Sequence, residues 1–239
     1  MKKIVFIFIS SVSLLNAAAQ KTIINDANAQ ARTVSGFHGI EVSNAIDLYI
    51  NQSNEEAVAV SATDNKYRDR IKTEVSNGIL KIYLEKENGF SWTSGNHKLK
   101  AYVSFKTLDK LSASGSSDVY VDGTISSDNL SIHLSGSSDF KGSVKTNELS
   151  MDQSGSSDAN ISGHANNLTV HLSGASDIKG YELVVDNCTV HASGSSDLNI
   201  TVNKELDAQA SGSSDIYYKG AAVIKNMHSS GSSSISKKD

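Results

Sequence analysis

Apolar and polar residues alternate over short stretches through most of this chain, and these stretches recur about every nineteen residues. Between Leu168 and Leu172, for example, every second residue is apolar, and the intervening residues Thr169 and His171 are polar. A period of two is typical of a strand that buries one face. The 3.6-residue period of a helix fits none of these stretches, so the pattern predicts a protein built from half-buried strands.

Each alternating stretch runs into the same motif, Ser-Gly-Ser-Ser-Asp. Successive motif glycines, from Gly115 to Gly231, are 18 to 21 residues apart. Self-similarity at a period near 20 predicts a solenoid, in which each repeat is one coil that buries its apolar face against its neighbours. The seven copies begin at Ser114, Ser135, Ser154, Ser173, Ser193, Ser211 and Ser230, with Ala175 inside the fourth copy and Ser234 in place of Asp in the seventh.

Alignment on the motif glycine separates apolar columns from polar ones. Apolar residues stand four positions before and four positions after the glycine, and variable segments such as residues 145–147 link one coil to the next. Left-handed helices of six-residue repeats do not allow such a drifting period. The predicted fold class is therefore all-β, a right-handed parallel β-helix with about 19 residues per coil. The two columns are Leu111, Ile132, Met151, Val170, Val190, Ala208 and Met227, and Val119, Phe140, Ala159, Ile178, Leu198, Ile216 and Ile235.

The motif is interpreted as a structural turn ladder. Glycine adopts a positive φ at a corner without steric cost, and the neighbouring Ser and Asp side chains can bond nearby backbone N–H groups. No catalytic, ligand-binding or metal-binding role is assigned to these residues. The predicted ladder consists of Gly115, Asp118, Gly136, Asp139, Gly155, Asp158, Gly174, Asp177, Gly194, Asp197, Gly212 and Asp215.

The N-terminus has the pattern of a secretory signal peptide over residues 1–19, with Lys2 and Lys3, an apolar stretch over residues 4–15 and an Ala-x-Ala site before Gln20. The apolar stretch is too short to span a membrane, and no later segment is long enough. No cysteine stands directly after this apolar stretch, so a lipoprotein anchor is not supported. We therefore expect an exported protein, located in the periplasm, on the outer surface or outside the cell.

Composition adds two constraints. The net charge is −4, or about −6 without the two N-terminal lysines, and this mildly acidic balance disfavours nucleic acid as a partner. The single cysteine, Cys188, cannot form an intramolecular disulfide. It stands in an otherwise leucine column, where we expect a buried small hydrophobe.

The first third of the mature chain is less regular than the rest. We expect a flexible lead-in over residues 20–35 and one β-helix domain over residues 36–239, with irregular coils over 36–110 and regular coils over 111–239. Terminal coils of solenoids are typically atypical. Asn44 replaces the glycine in a degenerate motif copy, residues 64–70 fit one helical turn, and Asn77-Gly78 predicts a hairpin.

Several segments together match a known bacterial family. They are Val34-Ser35-Gly36-Phe37, Ile40-Glu41-Val42, Asp47-Leu48-Tyr49-Ile50, the Asn77-Gly78 hairpin through Ile82, the repeated motif, and the closing Gly231 to Ser236. On these residues the chain resembles the "putative auto-transporter adhesin, head GIN domain" family, a domain of unknown function numbered 2807, over about residues 36 to 237. The resemblance implies a right-handed parallel β-helix and an attachment role, and it implies no catalytic residues.

The motif aspartates should stack one coil apart. Unit charges about 5 Å apart repel by about 1 kcal/mol even in water, so bonds to turn N–H groups or calcium held between coils must offset the repulsion. Single carboxylates per coil supply few of the oxygen ligands that calcium needs. The first explanation is favoured, and calcium-dependent binding stays as an alternative function.

A second polar column contains four histidines. His171 and His191 fall on adjacent coils, close enough to suggest a shared metal ion, but no third ligand is evident. Ser112, Asp152 and Gln209 occupy the same column, which favours a solvent-facing position that accepts any polar residue. The histidines of this column are His133, His171, His191 and His228.

An enzyme is the main functional alternative, because parallel β-helices include polysaccharide lyases and hydrolases. The carboxylates here form a uniform ladder, whereas active sites usually break local regularity. The loop from Gly89 to Asn96, which carries the single tryptophan, Trp92, is either a ligand contact or an apolar plug. We therefore predict an exported, non-catalytic, adhesin-like module without cofactors, whose partner is a glycan or a surface or matrix protein.

Overall fold

The structure, a computed structural model, describes residues 26–85 and 97–239. The predicted signal peptide and the Trp92 loop lie outside the described residues. The described part of the chain contains one short helix, α1 (Asn65–Arg68), and strands that join into a single sheet system. The strands are β1 (Gln30–Arg32), β2 (Gly39–Val42), β3 (Asp47–Gln52), β4 (Ala57–Ser61), β5 (Ile71–Ser76), β6 (Ile79–Leu84), β7 (Lys100–Phe105), β8 (Lys110–Ala113), β9 (Val119–Leu134), β10 (Phe140–Gln153), β11 (Asp158–Leu172), β12 (Asp177–Ala192), β13 (Asp197–Ala210), β14 (Asp215–Lys219), β15 (Val223–Ser229) and β16 (Ser234–Lys237).

The strands stack as coils of a parallel β-helix, so the predicted all-β solenoid is confirmed. Strands β9 to β13 pair in parallel, each with the strand one coil away. About seven turns follow one another at about 19 residues per turn. The ladder register joins equivalent positions of the repeat, such as Leu149 to Leu168 and Leu168 to Cys188.

The core runs along the inside of the coils as one continuous cluster of buried residues. Its members are the apolar positions of the alternating stretches, since Leu168 and Val170 are buried while Thr169 between them is exposed. Both predicted apolar columns lie in this core, except that Met227 is exposed and Ile235 is only partly buried. These two residues belong to the last coil of the described residues, where they pair with the coil below.

The predicted variable connections are not loops. Residues 145–147 lie inside β10, where Lys145 pairs with His164 and Thr146 with Ala165. The differences in coil length appear instead as shifts of ladder register, for example between Asn160 and Gly163. Bulges of this kind insert residues without ending a strand, which explains how the period varies while pairing continues.

The N-terminal coils are stacked in an order that differs from their order along the chain. Strands β2 and β3 form a coil around Asn44, and above it lie β8 and β9. Below it lie β6 and β7, which come later in the sequence than β2 and β3 but pair with them in parallel. The chain therefore descends after β3, builds a lower coil, and returns upward at β8.

Antiparallel strands complete the lower end of the solenoid. Strand β4 pairs with β7, and β5 pairs with β6 through the predicted Asn77-Gly78 hairpin, which is confirmed. The predicted helical turn is also confirmed as α1, where the Asp64 carboxylate accepts the Lys66 N–H at 2.8 Å.

Part of the lead-in predicted over residues 20–35 forms a strand. Strand β1 pairs antiparallel with β4 in that region. The pairing satisfies backbone groups on the edge of β4, which would otherwise remain open.

Candidate functional site

The motif glycines form a column in which the backbone of each coil closely approaches that of the coil below. All of them have φ between 74° and 81°. A Cβ added at Gly155 would lie 2.4 Å from the carbonyl oxygen of Gly136, and the same distance separates a Cβ at Gly174 from the oxygen of Gly155. Glycine is thus required at these corners by the stacking of coils as well as by the backbone conformation.

The second serine after the glycine lines the inside of the same corner. Ser157 and Ser176 are fully buried, and each donates its hydroxyl proton to the carbonyl of the first motif serine, at 2.9 Å and 3.0 Å. Ser138 instead shows its oxygen as an acceptor, for the N–H of Ser117 in the coil below. These hydroxyls satisfy backbone groups inside the turn.

The motif aspartates form one outward column, as the ladder register dictates. Asp158 pairs with Asp177, and Asp197 pairs with Asp215. Asp47 extends the column downward through the Asn44 coil, and Lys100 stands beneath Asp47. Above Asp215 the column ends at Ser234.

Five of the six motif carboxylates, those of Asp118, Asp139, Asp177, Asp197 and Asp215, accept a hydrogen bond from the backbone of the coil above. The N–H of Asp139 donates to the carboxylate of Asp118 at 3.3 Å, and that of Asp197 donates to the carboxylate of Asp177 at 3.1 Å. This is the first of the two explanations that the sequence offered for the stacked charges. The carboxylates thereby serve as side-chain links between coils.

The pKa values within the column differ because the surroundings of its members differ. Burial, followed by repulsion from the neighbouring carboxylate, raises the pKa of Asp139 and that of Asp197. Hydrogen bonds from Ser234 and Tyr217 lower the pKa of Asp215. The top of the column therefore favours a negative charge more than its middle does.

A column of larger side chains runs beside the aspartates on the same face, two residues further along each strand. At its lower end Tyr102, Tyr49 and Tyr120 stack, with ring centroids 5.3 Å and 5.1 Å apart. Burial and the Asp118 charge raise the pKa of Tyr120 to about 12. This stack was not predicted from the sequence, although the spacing Asp-x-Tyr in both Asp47–Tyr49 and Asp118–Tyr120 was available as a signal.

A concave surface runs along the column of histidines. This histidine groove has a volume of about 470 Å³, within the range of ligand-binding clefts. One polar side chain per coil lines it, and the first motif serine of each coil forms the other side. The groove is defined by His133, Asp152, His171, His191, Gln209 and His228 together with Ser154, Ser173, Ser193, Ser211 and Ser230.

His171 and His191 stack in the middle of the groove. Their rings are nearly parallel, at 6°, with centroids 5.3 Å apart. The described residues contain no group of three or more metal-ligating side chains that could hold an ion.

Cys188 lies in the core, as its position in a leucine column predicted. It is a free thiol, and burial raises its pKa to about 12. A buried thiol of this kind is not a nucleophile at neutral pH.

No helix in residues 26–85 or 97–239 is long and apolar enough to cross a membrane. A search among curated proteins finds no match to the chain. Solved structures, in contrast, reproduce its fold over most of its length.

Two of these structures illustrate the likeness. A crystal structure described as a putative adhesin from Bacteroides fragilis has a TM-score of 0.75 and 23% sequence identity, covering 88% of this chain and 96% of that one. A crystal structure described as a putative lipid binding protein from Parabacteroides distasonis has a TM-score of 0.68 and 24% identity, covering 90% and 98% of the two chains. At such identities the likeness establishes the fold alone.

The family assignment rests on the sequence. A family model described as "Putative auto-transporter adhesin, head GIN domain" matches residues 36–222, which is more than half of the chain. The match spans the Asn44 coil and six of the seven motif copies, and it agrees with the resemblance found in the motifs. The chain therefore belongs to the putative auto-transporter adhesin, head GIN domain family.

Proposed function

We propose that this protein is an exported, non-catalytic attachment module of the bacterial cell envelope or surface. The observation that carries the proposal is the repetition of the same outward side chains from coil to coil. The aspartate column and the histidine groove each continue through at least five coils, and each member has an equivalent position above or below it. A repeated surface of this kind suits an extended partner that makes many similar contacts.

The main alternative, a β-helix lyase or hydrolase, finds less support in this surface. Catalysis requires groups with different roles held around one reacting bond. The motif aspartates instead occupy equivalent positions of the ladder, and five of the six accept a hydrogen bond from the backbone of the next coil. Arg32, Arg68 and Arg70, the only arginines of the chain, lie at the lower end, away from the regular coils.

Calcium-dependent binding is the remaining alternative. The aspartate column offers carboxylate oxygens, but one oxygen of each linking carboxylate already accepts a backbone N–H. Calcium takes six to eight oxygen ligands. The column alone supplies few of them, so the proposal does not depend on calcium.

A binding panel tests the proposal. Purified residues 20–239 would be measured against bacterial and host glycans, matrix proteins and lipid vesicles, with calcium and with EDTA, and heat-unfolded protein would serve as the control. We expect saturable binding to one class of surface molecule in both conditions. Turnover of a polysaccharide in the panel would contradict a non-catalytic role, and a blank panel would contradict attachment.

A further inference from the structure

The histidine groove presents one polar side chain per coil at a regular interval. The ladder places Asp152 beside His133 and His171, and His171 beside His191. Successive coils lie about 4.8 Å apart, the distance between neighbouring strands. Any chain that lies along the groove therefore meets an equivalent side chain at that interval.

This interval separates two kinds of extended partner. An extended peptide advances about 3.3 Å per residue and falls out of step with the coils. Peptides that bind to sheets also use unpaired strand edges, whereas the strands beneath this groove pair on both sides, as β11 does with β10 and β12. An extended saccharide advances by about one ring per coil, so its substituents can meet the groove in register.

The other side of the groove supplies hydroxyl groups in the same register. The hydroxyls of Ser173 and Ser193 donate to carbonyls one coil below, at 3.3 Å and 3.1 Å. Their oxygens can still accept from a ligand, since a hydroxyl oxygen has two lone pairs. Imidazole, amide and hydroxyl groups together form a surface suited to a hydroxyl-rich ligand.

The protonatable side chains of the groove point to an acidic ligand. Four imidazoles and one carboxylate line it, and no lysine or arginine does. The titratable groups that face it are His133, Asp152, His171, His191 and His228. Imidazoles gain charge between pH 8 and pH 5, and protonation of the stacked His171 and His191 places two like charges 5.3 Å apart. An anionic group between them would relieve this repulsion, so protons and an anionic ligand should bind together.

We propose that the histidine groove binds an extended oligosaccharide bearing carboxylate or sulfate groups, laid along the solenoid axis. The inference rests on the proposed attachment function and specifies its ligand class and its site. We expect binding to strengthen as the pH falls, because each imidazole that is protonated adds a positive charge to the groove. A neutral oligosaccharide of the same length gains nothing from acidification.

The test uses residues 20–239 with a galacturonic acid hexasaccharide, a sulfated heparin hexasaccharide and neutral cellohexaose. Isothermal titration calorimetry at about pH 5.5 and about pH 7.5 brackets the charge change of imidazole, and EDTA is present throughout. We expect at least one acidic hexasaccharide to bind about tenfold more tightly at the lower pH. Cellohexaose should show no such gain.

The variant for this test is His171→Gln/His191→Gln. Gln209 occupies the same column naturally, so the double variant keeps a polar side chain that the fold already accepts. We expect it to lose the pH dependence and most of the affinity. The matched control is His164→Gln, because His164 is an exposed histidine of β11 that lies outside the groove and contacts Asn166.

Four results would overturn the inference. They are no acid-dependent binding of either acidic hexasaccharide, undiminished binding by the double variant, loss of binding in Tyr120→Ala instead, and binding of zinc alone that requires both histidines. In each case the attachment function survives if the wider panel gives a saturable partner. A blank panel would instead remove the proposed function together with the inference.

Discussion

The Asn44 coil and the regular coils above it turn the same corner with different residues. In the Asn44 coil, Asn44 and Ala45 have φ of 66° and 58°, a conformation that asparagine tolerates better than most residues. The Asn44 side chain is hydrogen-bonded to the coil below, because its Oδ1 accepts the N–H of Leu84 at 3.2 Å. A side chain at this corner therefore contributes a hydrogen bond.

The corners of the regular coils leave no space for a side chain. Below Gly155 lies the carbonyl of Gly136, where a Cβ would be 2.4 Å away. The junction between the two regions is intermediate, since a Cβ at Gly115 would lie 3.4 Å from the nearest atom, the backbone N of Asn44. Backbone conformation thus explains why the corner prefers glycine or asparagine, and stacking explains why only glycine recurs.

The largest expected effect comes from a charge placed in the shared core. Leu168→Asp buries a carboxylate without a partner between coils, and we expect the regular coils to unfold, at a cost of more than about 4 kcal/mol. Circular dichroism and thermal unfolding would measure this. Thr169→Asp is the control, because its side chain points outward and Asp207 occupies the same column two coils away. Equal stability of the two variants would contradict the inward and outward assignment.

The second prediction separates stacking from backbone conformation. Gly155→Ala and Gly123→Ala both place a side chain at positive φ, but a Cβ at Gly123 has no atom within 4 Å. We expect about 1–2 kcal/mol of destabilisation at Gly123 from conformation alone. At Gly155 we expect at least about 3 kcal/mol, since two backbones must move apart. Denaturant unfolding measures the difference, and equal losses would show that stacking adds nothing.

A third prediction concerns the two serines that follow the glycine in one motif. Ser157→Ala removes a buried hydroxyl that bonds the carbonyl of Ser154, and we expect a loss of about 1 kcal/mol. Ser156→Ala should be silent, because Ser156 is exposed and Ala175 occupies the same position one coil above. Unfolding in urea measures the stability of both variants. A larger loss of stability in Ser156→Ala than in Ser157→Ala would contradict the assigned roles of the two serines.

The smallest effects should have opposite signs at two aspartates of one column. The pKa of Asp139 is raised, so its ionised form is disfavoured in the folded state. The pKa of Asp215 is lowered by its hydrogen bonds, so its ionised form is favoured. At neutral pH we expect Asp139→Asn to stabilise and Asp215→Asn to destabilise, each by about a few tenths of a kcal/mol.

The pH dependence of the two variants follows from these directions. The penalty at Asp139 disappears as the pH falls through its raised pKa, so the gain from Asp139→Asn should vanish in mild acid. The stability that ionised Asp215 contributes is present above the ordinary aspartate pKa and is lost as the pH falls through its lowered pKa. The wild type and Asp215→Asn should therefore become equally stable only in stronger acid. Thermal unfolding across pH measures both, and equal signs at neutral pH would contradict the assignment.

Local pattern was sufficient to predict the regular coils. Alternation around Leu168 identified the buried face, and the spacing from Gly115 to Gly231 identified the coil, because each coil repeats the same contacts with its neighbours. The fold class, the stacked aspartates and the buried position of Cys188 all followed from this repetition.

Features that depend on contacts distant in sequence were not predicted. The pairing of β6 and β7 beneath the Asn44 coil requires the chain to reverse its direction of stacking, and no residue pattern signals that reversal. Paired bulges took the place of the expected connections, and β1 formed by pairing with β4. The sequence predicted the histidines as a column of polar side chains but did not predict a cavity. The depth of the groove depends on how the backbone turns at the neighbouring motif corner, which the sequence pattern does not specify.

The most direct test of the central claim, that the regular coils are equivalent units of one stacked scaffold, is the deletion of one coil. Removal of residues 155–173 joins Ser154 to Gly174, keeps the motif intact and places Gly174 above Gly136. Circular dichroism and thermal unfolding should show a folded protein with one cooperative transition, whereas deletion of residues 155–164, about half a coil, should unfold it. A coil deletion that unfolds or aggregates as readily as the half-coil deletion would contradict the account.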